Sequence, residues 1–294
     1  MFPANNQLRN SGLIFGCCTL LFVISRIALF NGFNGSDDLH YAMLASKMLR
    51  GQLDPFQPND IFSGRVLLIG WQALVYKTGG ITLFTTNAGI MLAVILTAYI
   101  TVFKFLPDSS PGRVLLASSF IYFFPSLPNY RDAISPGPYI MLTGACIVVL
   151  LKRALFLQPS RTAAALYAGI GVLTGLSLLI KETALLFLLL TTGLILLYRR
   201  REGISSIGWV WLGFGLVMAS MAGIYLHFTG DALFKITQIR NSAYLNPCNF
   251  TGRPIADLIN RLTYGIWMAF TLHEFFPFIF GGAVFFISSV GKQP

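Results

Sequence analysis

Long apolar segments recur along this chain, and their length restricts its fold more than any motif does. The first, residues 11–30, has 20 residues, about what an α-helix rising 1.5 Å per residue needs to cross a hydrocarbon core. Seven more follow at 83–103, 114–125, 139–151, 162–180, 183–198, 207–228 and 275–290. Hydrophobic residues make up 55% of the chain and charged ones only 11%, too little polar surface to cover a soluble globule. The expected fold is all-α: one polytopic transmembrane helical bundle of about eight spans occupying 1–294, without a separate soluble C-terminal domain.

A net charge of +10 would suggest nucleic acid in a soluble protein. Here the basic residues sit in short runs between apolar segments, which points to membrane orientation and to no nucleic-acid partner. The segment 66–76 decides the register. Its eleven residues rise only about 16 Å, roughly half of a crossing, so it is expected to lie in the interface with Trp71 and Tyr76 at headgroup level. With a cytoplasmic N-terminus, Lys104 and Arg113, then Lys152, Arg153 and Arg161, then Arg199-Arg200-Arg201 all fall in short cytoplasmic loops, as the positive-inside rule requires. Both termini are then cytoplasmic. A first outer loop covers about 32–82 and a last one about 229–262.

This register gathers charged positions on one outer face. Asp37 and Asp38 open an amphipathic helix over 37–49, the Tyr130-Arg131-Asp132 loop follows the third span, and Lys181-Glu182 separates the fifth from the sixth. Ionisable groups near hydrocarbon cost about 3 kcal/mol each at a span centre, and a watered pocket or mutual pairing is their usual explanation. Each also has a structural explanation. Asp37 and Asp38 would offset the dipole of a helix capped by Ser36, Asp132 could pair with Arg131, and Lys181-Glu182 could be a charged hairpin tip. Arg65 opens the interfacial helix and meets either lipid phosphate or a substrate. Lys235, Arg240 and Arg253 could hold a phosphate head, although a solvated basic loop is the simpler account. Arg26, near the far end of the first span, is expected to reach the interface by snorkelling. The four cysteines form no metal or disulfide framework, and His273-Glu274 is no metal motif.

The order of these features resembles the GT-C superfamily of membrane glycosyltransferases that use polyprenyl-phosphate sugars, in its aminoarabinose-transferase and protein O-mannosyltransferase branch. The resemblance covers about the first 230 residues. It rests on a first span, a long outer loop opening on Asp37, Asp38 and Tyr41, an Asp-bearing loop after the third span and a short charged turn before the sixth. It implies a GT-C-like fold, with Asp38, or alternatively Asp37, as the catalytic carboxylate. Asp132, Lys181, Glu182, Arg65, Tyr41 and Arg240 would then bind substrate, Lys181 holding the donor phosphate. Many relatives continue through further spans, whereas this chain stops at Pro294, which suggests a minimal core or an incomplete enzyme.

The chemistry implied is inverting sugar transfer from a polyprenyl-phosphate donor to a lipid, glycan or protein acceptor, at the outer face of a plasma membrane, expected to be bacterial. It makes no cofactor certain; a divalent cation held by Asp37, Asp38 and Asp132 is an option that carboxylates alone do not establish. A non-catalytic or truncated subunit and a polyprenyl-lipid flippase are the alternatives. A flippase would want helix breaks near mid-span and repeat symmetry, and no repeat is visible.

Overall fold

A computed structural model describes residues 3–30, 32–33, 36–105, 110–123, 133–199, 203–241 and Ala256, and every regular element among them is helical. In chain order these are α1 (Pro3–Ala28), α2 (Ser36–Leu49), α3 (Val66–Gly79), α4 (Leu83–Ile100, continued by a π-helical turn Thr101–Phe105), α5 (Pro111–Phe123), α6 (Gly137–Phe156), α7 (Arg161–Ser177), a 3-10 turn Glu182–Ala184, α8 (Leu185–Arg199), α9 (Gly203–Thr229) and α10 (Phe234–Asn241). The helices start and stop where local chemistry directs. Thr82 and Thr85 close a reciprocal cap on α4, Thr82 Oγ1 accepting from Thr85 N at 3.1 Å and Thr82 N donating to Thr85 Oγ1 at 3.0 Å. Ser160 caps α7 through Ala163 N. Gly80 and Gly230 end α3 and α9 at φ 74° and 73°, a region where a Cβ is strained.

Among the described residues five helices are long and apolar enough to cross a membrane: Arg9–Ala28, Leu83–Phe105, Gly137–Phe156, Glu182–Arg199 and Gly203–Thr229. The expected spans 114–125 and 162–180 correspond to α5 and α7, with 13 and 17 residues. Segment 275–290 lies outside the described residues. At 14 residues, α3 is about 21 Å long, short of a crossing, and its Leu68, Ile69, Gln72, Ala73 and Tyr76 are buried.

Side-chain contacts fix the direction of each pass. Phe15 meets Phe103 with ring centroids 5.2 Å apart, while Arg26 Nε donates to Asn87 Oδ1 at 2.7 Å, so α1 and α4 run antiparallel. Lys152 Nζ donates to Phe105 O at 2.7 Å, bringing the far ends of α4 and α6 together. Arg199 Nη2 donates to Leu155 O at 2.8 Å, which places the end of α8 there too. One end of the bundle therefore carries Lys104, Lys152, Arg153 and Arg199. At the other end Leu67 N meets Leu179 O at 3.4 Å, joining α3 to the end of α7, and Phe56 stacks on Phe228 at 4.9 Å, joining the segment before α3 to the end of α9.

The tightest pairing, between α7 and α9, has a sequence cause. A Cβ on Gly171 would stand 1.9 Å from Val210 O, and one on Gly213 would stand 2.1 Å from Ala168 O. The two backbones touch because neither position has a side chain, the small-residue packing used between helices in lipid. Arg26 departs from the snorkelling expected for it. It is fully buried, and Asn87 on the facing turn of α4 receives its Nε, so a partner inside the bundle replaces the interface.

Candidate functional site

The end of the bundle away from Lys152 and Arg199 collects charged residues from four separate elements. Arg65 precedes α3, where the chain leaves the turn-rich segment 51–65. Its Nη2 donates to Glu182 Oε2 at 2.9 Å, and its Nη1 makes a short hydrogen bond to Tyr41 Oη on α2. Lys235, in the first turn of α10, stands 3.2 Å from Glu182 Oε1. Glu182 is thus held between two cations, one on each oxygen. Arg65 Nε is buried and makes no hydrogen bond among the described residues. Phe62 lies against the guanidinium, its ring centroid 5.2 Å from Cζ, and the Tyr41 and Phe62 rings meet edge to face at 5.2 Å.

Burial governs the electrostatics of the group. It pulls the Lys235 amine below its ordinary pKa, a pull that Glu182 opposes. It pushes the Tyr41 phenol well above its ordinary value even though Arg65 works the other way. A buried, protonated phenol beside a guanidinium gives Arg65 a neutral partner on one side and a carboxylate on the other.

Lys235 is held in place by its own helix. Gln238, one turn on and fully buried, donates through Nε2 to Gln57 O at 2.8 Å and Asp60 O at 2.7 Å. Lys235 Nζ and Gln238 Oε1 both crowd Gly64, where a Cβ would approach them to 2.8 and 2.6 Å. This fastens α10 onto the first loop. The same loop is tied to α2 by His40 Nε2 and Asp60 Oδ2 at 3.0 Å. Lys235 is accordingly a partner in a part-buried ion pair and not the solvated basic residue that its loop composition suggested.

Asp37 and Asp38 both lie in the first turn of α2. Asp38 is only 2% exposed; its Oδ1 accepts from Leu39 N at 2.9 Å and its Oδ2 from Ala133 N at 3.2 Å. It thereby anchors the segment leading into α6. Asp37 is half-buried and close enough to Tyr41 to act on its ionisation. Lys181 is half-buried in extended backbone, its carbonyl accepting from Ala184 N at 3.1 Å. Asp132 lies outside the described residues, as does the side chain of Arg240.

Of the positions singled out from sequence, Tyr41, Arg65 and Glu182 meet directly, with Asp37 and Asp38 on the adjoining turn. Lys235, Gln238, His40 and Asp60 complete the surroundings. Lys235 was already a candidate contact for a phosphate head, and its i, i+3 spacing from Gln238 on a short helix was the available signal for Gln238. Among the described residues no group of three or more His, Cys, Asp or Glu side chains is arranged to hold a metal ion. At the opposite end Phe105, Lys152, Leu194 and Tyr198 help to line a cavity of about 20 Å³, room for about one water. No family model matches the chain, and no curated protein or solved structure matches it.

Proposed function

We propose that this protein is an integral membrane glycosyltransferase of GT-C-like architecture. It moves a sugar from a polyprenyl-phosphate donor to a lipid, glycan or protein acceptor at the non-cytoplasmic face. The carrying observation is that Arg65 and Lys235, on separate elements, converge on Glu182 beside the acidic first turn of α2, at the end of the bundle opposite Lys152, Arg153 and Arg199. By the positive-inside rule the Lys152 end is cytoplasmic and the Arg65 end faces outward.

In this reading the acceptor hydroxyl gives its proton to the Asp37 carboxylate as its oxygen attacks the anomeric carbon. The bond from that carbon to the phosphate oxygen breaks, and the departing polyprenyl phosphate keeps the electron pair. Arg65 and Lys235 receive the developing phosphate charge through charge-assisted hydrogen bonds. Asp37 is preferred to Asp38 as base because it is half-buried, within reach of an acceptor, whereas Asp38 is only 2% exposed. Asp38 then acts as a positioning residue for the segment entering α6.

A non-catalytic membrane subunit is the second reading. Glu182 already contacts both cations, which is what a purely structural ion cluster would do. The test is transfer by the purified full chain in membranes, with a polyprenyl-phosphate sugar as donor. Asp37→Asn is expected to abolish transfer, and Arg65→Gln to raise the donor KM. Full activity in Asp37→Asn removes Asp37 as the base, and full activity in Asp38→Asn as well removes both carboxylates. A wild-type chain that binds donor without releasing polyprenyl phosphate supports the subunit reading.

A further inference from the structure

The two cations of the outer cluster and the carboxylate between them are anchored differently. Arg65 keeps its hydrogen bond to Tyr41 and its contact with the Phe62 ring whatever its Nη2 does. Lys235 Nζ also reaches Gln238 Oε1 at 3.3 Å and Ile61 O at 3.5 Å, and Gln238 is pinned to the first loop. Both cations therefore keep their places without Glu182. The Glu182 carboxylate, by contrast, has Arg65 and Lys235 as its only ion-pair partners among the described residues. It projects from a three-residue 3-10 turn and is the most exposed of the three side chains, at 28% against 12% for Arg65 and 15% for Lys235. The anion is the member that can leave.

What it leaves behind has a defined chemistry. One Glu182 oxygen lies 2.9 Å from Arg65 Nη2 and the other 3.2 Å from Lys235 Nζ, so two oxygens on a single atom bridge a guanidinium and an ammonium. A phosphate group presents its oxygens in the same relation with an equal or greater charge, and suits the same donors. Arg65 Nε, buried and without a hydrogen bond among the described residues, is a further donor that the carboxylate leaves unused. A neutral group in the same place would leave both cations unbalanced where little water reaches them. A ligand phosphate and Glu182 cannot bridge the two cations at the same time.

We propose that Glu182 is a built-in competitor for the phosphate site: its carboxylate stands where two oxygens of a ligand phosphate bind, the phosphate enters by displacing it, and its return drives the phosphate out. This role presupposes the reading of Arg65 and Lys235 as phosphate donors. In the proposed transfer the departing polyprenyl phosphate gains charge as its bond to the sugar breaks, so two cations hold the product harder than the donor; a returning carboxylate loosens that hold. A ligand that binds only when the cations are free loses affinity by the fraction of time they are free, so a carboxylate in place ~90% of the time costs about tenfold.

The experiment uses the full chain in phosphatidylcholine nanodiscs, as wild type, Glu182→Gln and Glu182→Asp. Decyl phosphate probes a lipid-borne phosphate and inorganic phosphate a free one, with binding read by calorimetry and by the rise in melting temperature. Gln removes the competing charge; Asp keeps the charge but is one methylene too short to bridge both cations. Decyl phosphate is expected to bind about tenfold tighter to Glu182→Gln and roughly threefold tighter to Glu182→Asp, and to raise the melting temperature of both variants more than that of wild type. The same tightening for inorganic phosphate identifies the phosphate group alone as the ligand, and tightening for decyl phosphate only identifies a lipid-borne one. Affinity in Glu182→Asp equal to or below wild type overturns the competition, since a carboxylate acting through its charge alone predicts no change there. Weaker binding by Glu182→Gln overturns it too, because the carboxylate would then help to hold the ligand. No phosphate binding by any of the three proteins overturns the competitor role together with the reading of the two cations. Tighter binding by both variants without transfer by the wild type leaves the competitor role standing and removes the transferase reading alone.

Discussion

Arg65 and Glu182 are 117 residues apart in the chain, and their Nη2 and Oε2 atoms are 2.9 Å apart in the fold. Neither residue's local sequence requires the other. The contact exists because α3 and the turn before α8 open at the same end of the bundle, and Lys235 closes it from α10. Replacing Glu182 with Ala leaves two cations facing each other in a poorly hydrated place. The expected cost is about 2–3 kcal/mol, below the ~3–5 kcal/mol of a fully buried pair, since the Glu182 side chain keeps 28% exposure. Arg65→Gln combined with Glu182→Gln should cost less than the sum of the two single changes, because the double variant leaves only Lys235 without its carboxylate whereas Glu182→Gln alone strands both cations. Denaturant melts of the four proteins check this, and strict additivity would contradict the coupling.

Tyr41 carries a pH signature. Burial raises its phenol pKa above the ordinary value, so in the folded protein it stays protonated where an unfolded tyrosine ionises, near pH ~10. A pKa raised on folding gives stability that is complete below the unfolded pKa and is lost as pH climbs through the folded one. Stability is therefore expected to fall above about pH 10, and to fall less steeply in Tyr41→Phe. Absorbance titration of the wild type against Tyr41→Phe should show no Tyr41 ionisation near pH ~10; a normal phenol step there would contradict the burial.

The α7–α9 contact gives a stability test with an internal control. Gly213→Ala drives a methyl group into Ala168 O, whereas Gly215, two residues along the same helix, has nothing within 4 Å of its missing Cβ. Gly213→Ala should cost about 2 kcal/mol or more by overpacking. Gly215→Ala should be neutral or slightly stabilising, since Ala favours the helix. Equal melting of the two variants would mean that the helices do not touch there.

Much of the architecture was legible from length and charge. Apolar runs of about 20 residues locate the long helices, and the clusters at Lys152-Arg153 and Arg199 mark one common end. The shortness of 66–76 sets α3 apart from the crossing helices. Arg26 was misread because the rule that cations near a span end reach water looks only along its own helix, while Asn87 belongs to another. Lys235 was underweighted for the same reason: a basic residue in a polar loop reads as solvated until Glu182 and Gln238 are placed around it. The close approach of α7 and α9 at Gly171 and Gly213 is invisible in a chain with 28 glycines, because only the helix pairing shows which of them need a missing side chain. The Asp37-Asp38 pair was recognisable as a feature, yet the bond that buries Asp38 comes from Ala133, 95 residues downstream of it.

The most direct test is the sidedness of the two ends. Single cysteines are placed at Asn59, exposed in the loop that α10 grips, and at Arg153, exposed at the far end of α6, in a chain whose four native cysteines are replaced. A membrane-impermeant maleimide is then applied to intact cells. The account expects Asn59→Cys to be labelled in intact cells and Arg153→Cys only after permeabilisation. Labelling of both from the same side would contradict it, because the charged group around Arg65 and the basic end would then share one face of the membrane.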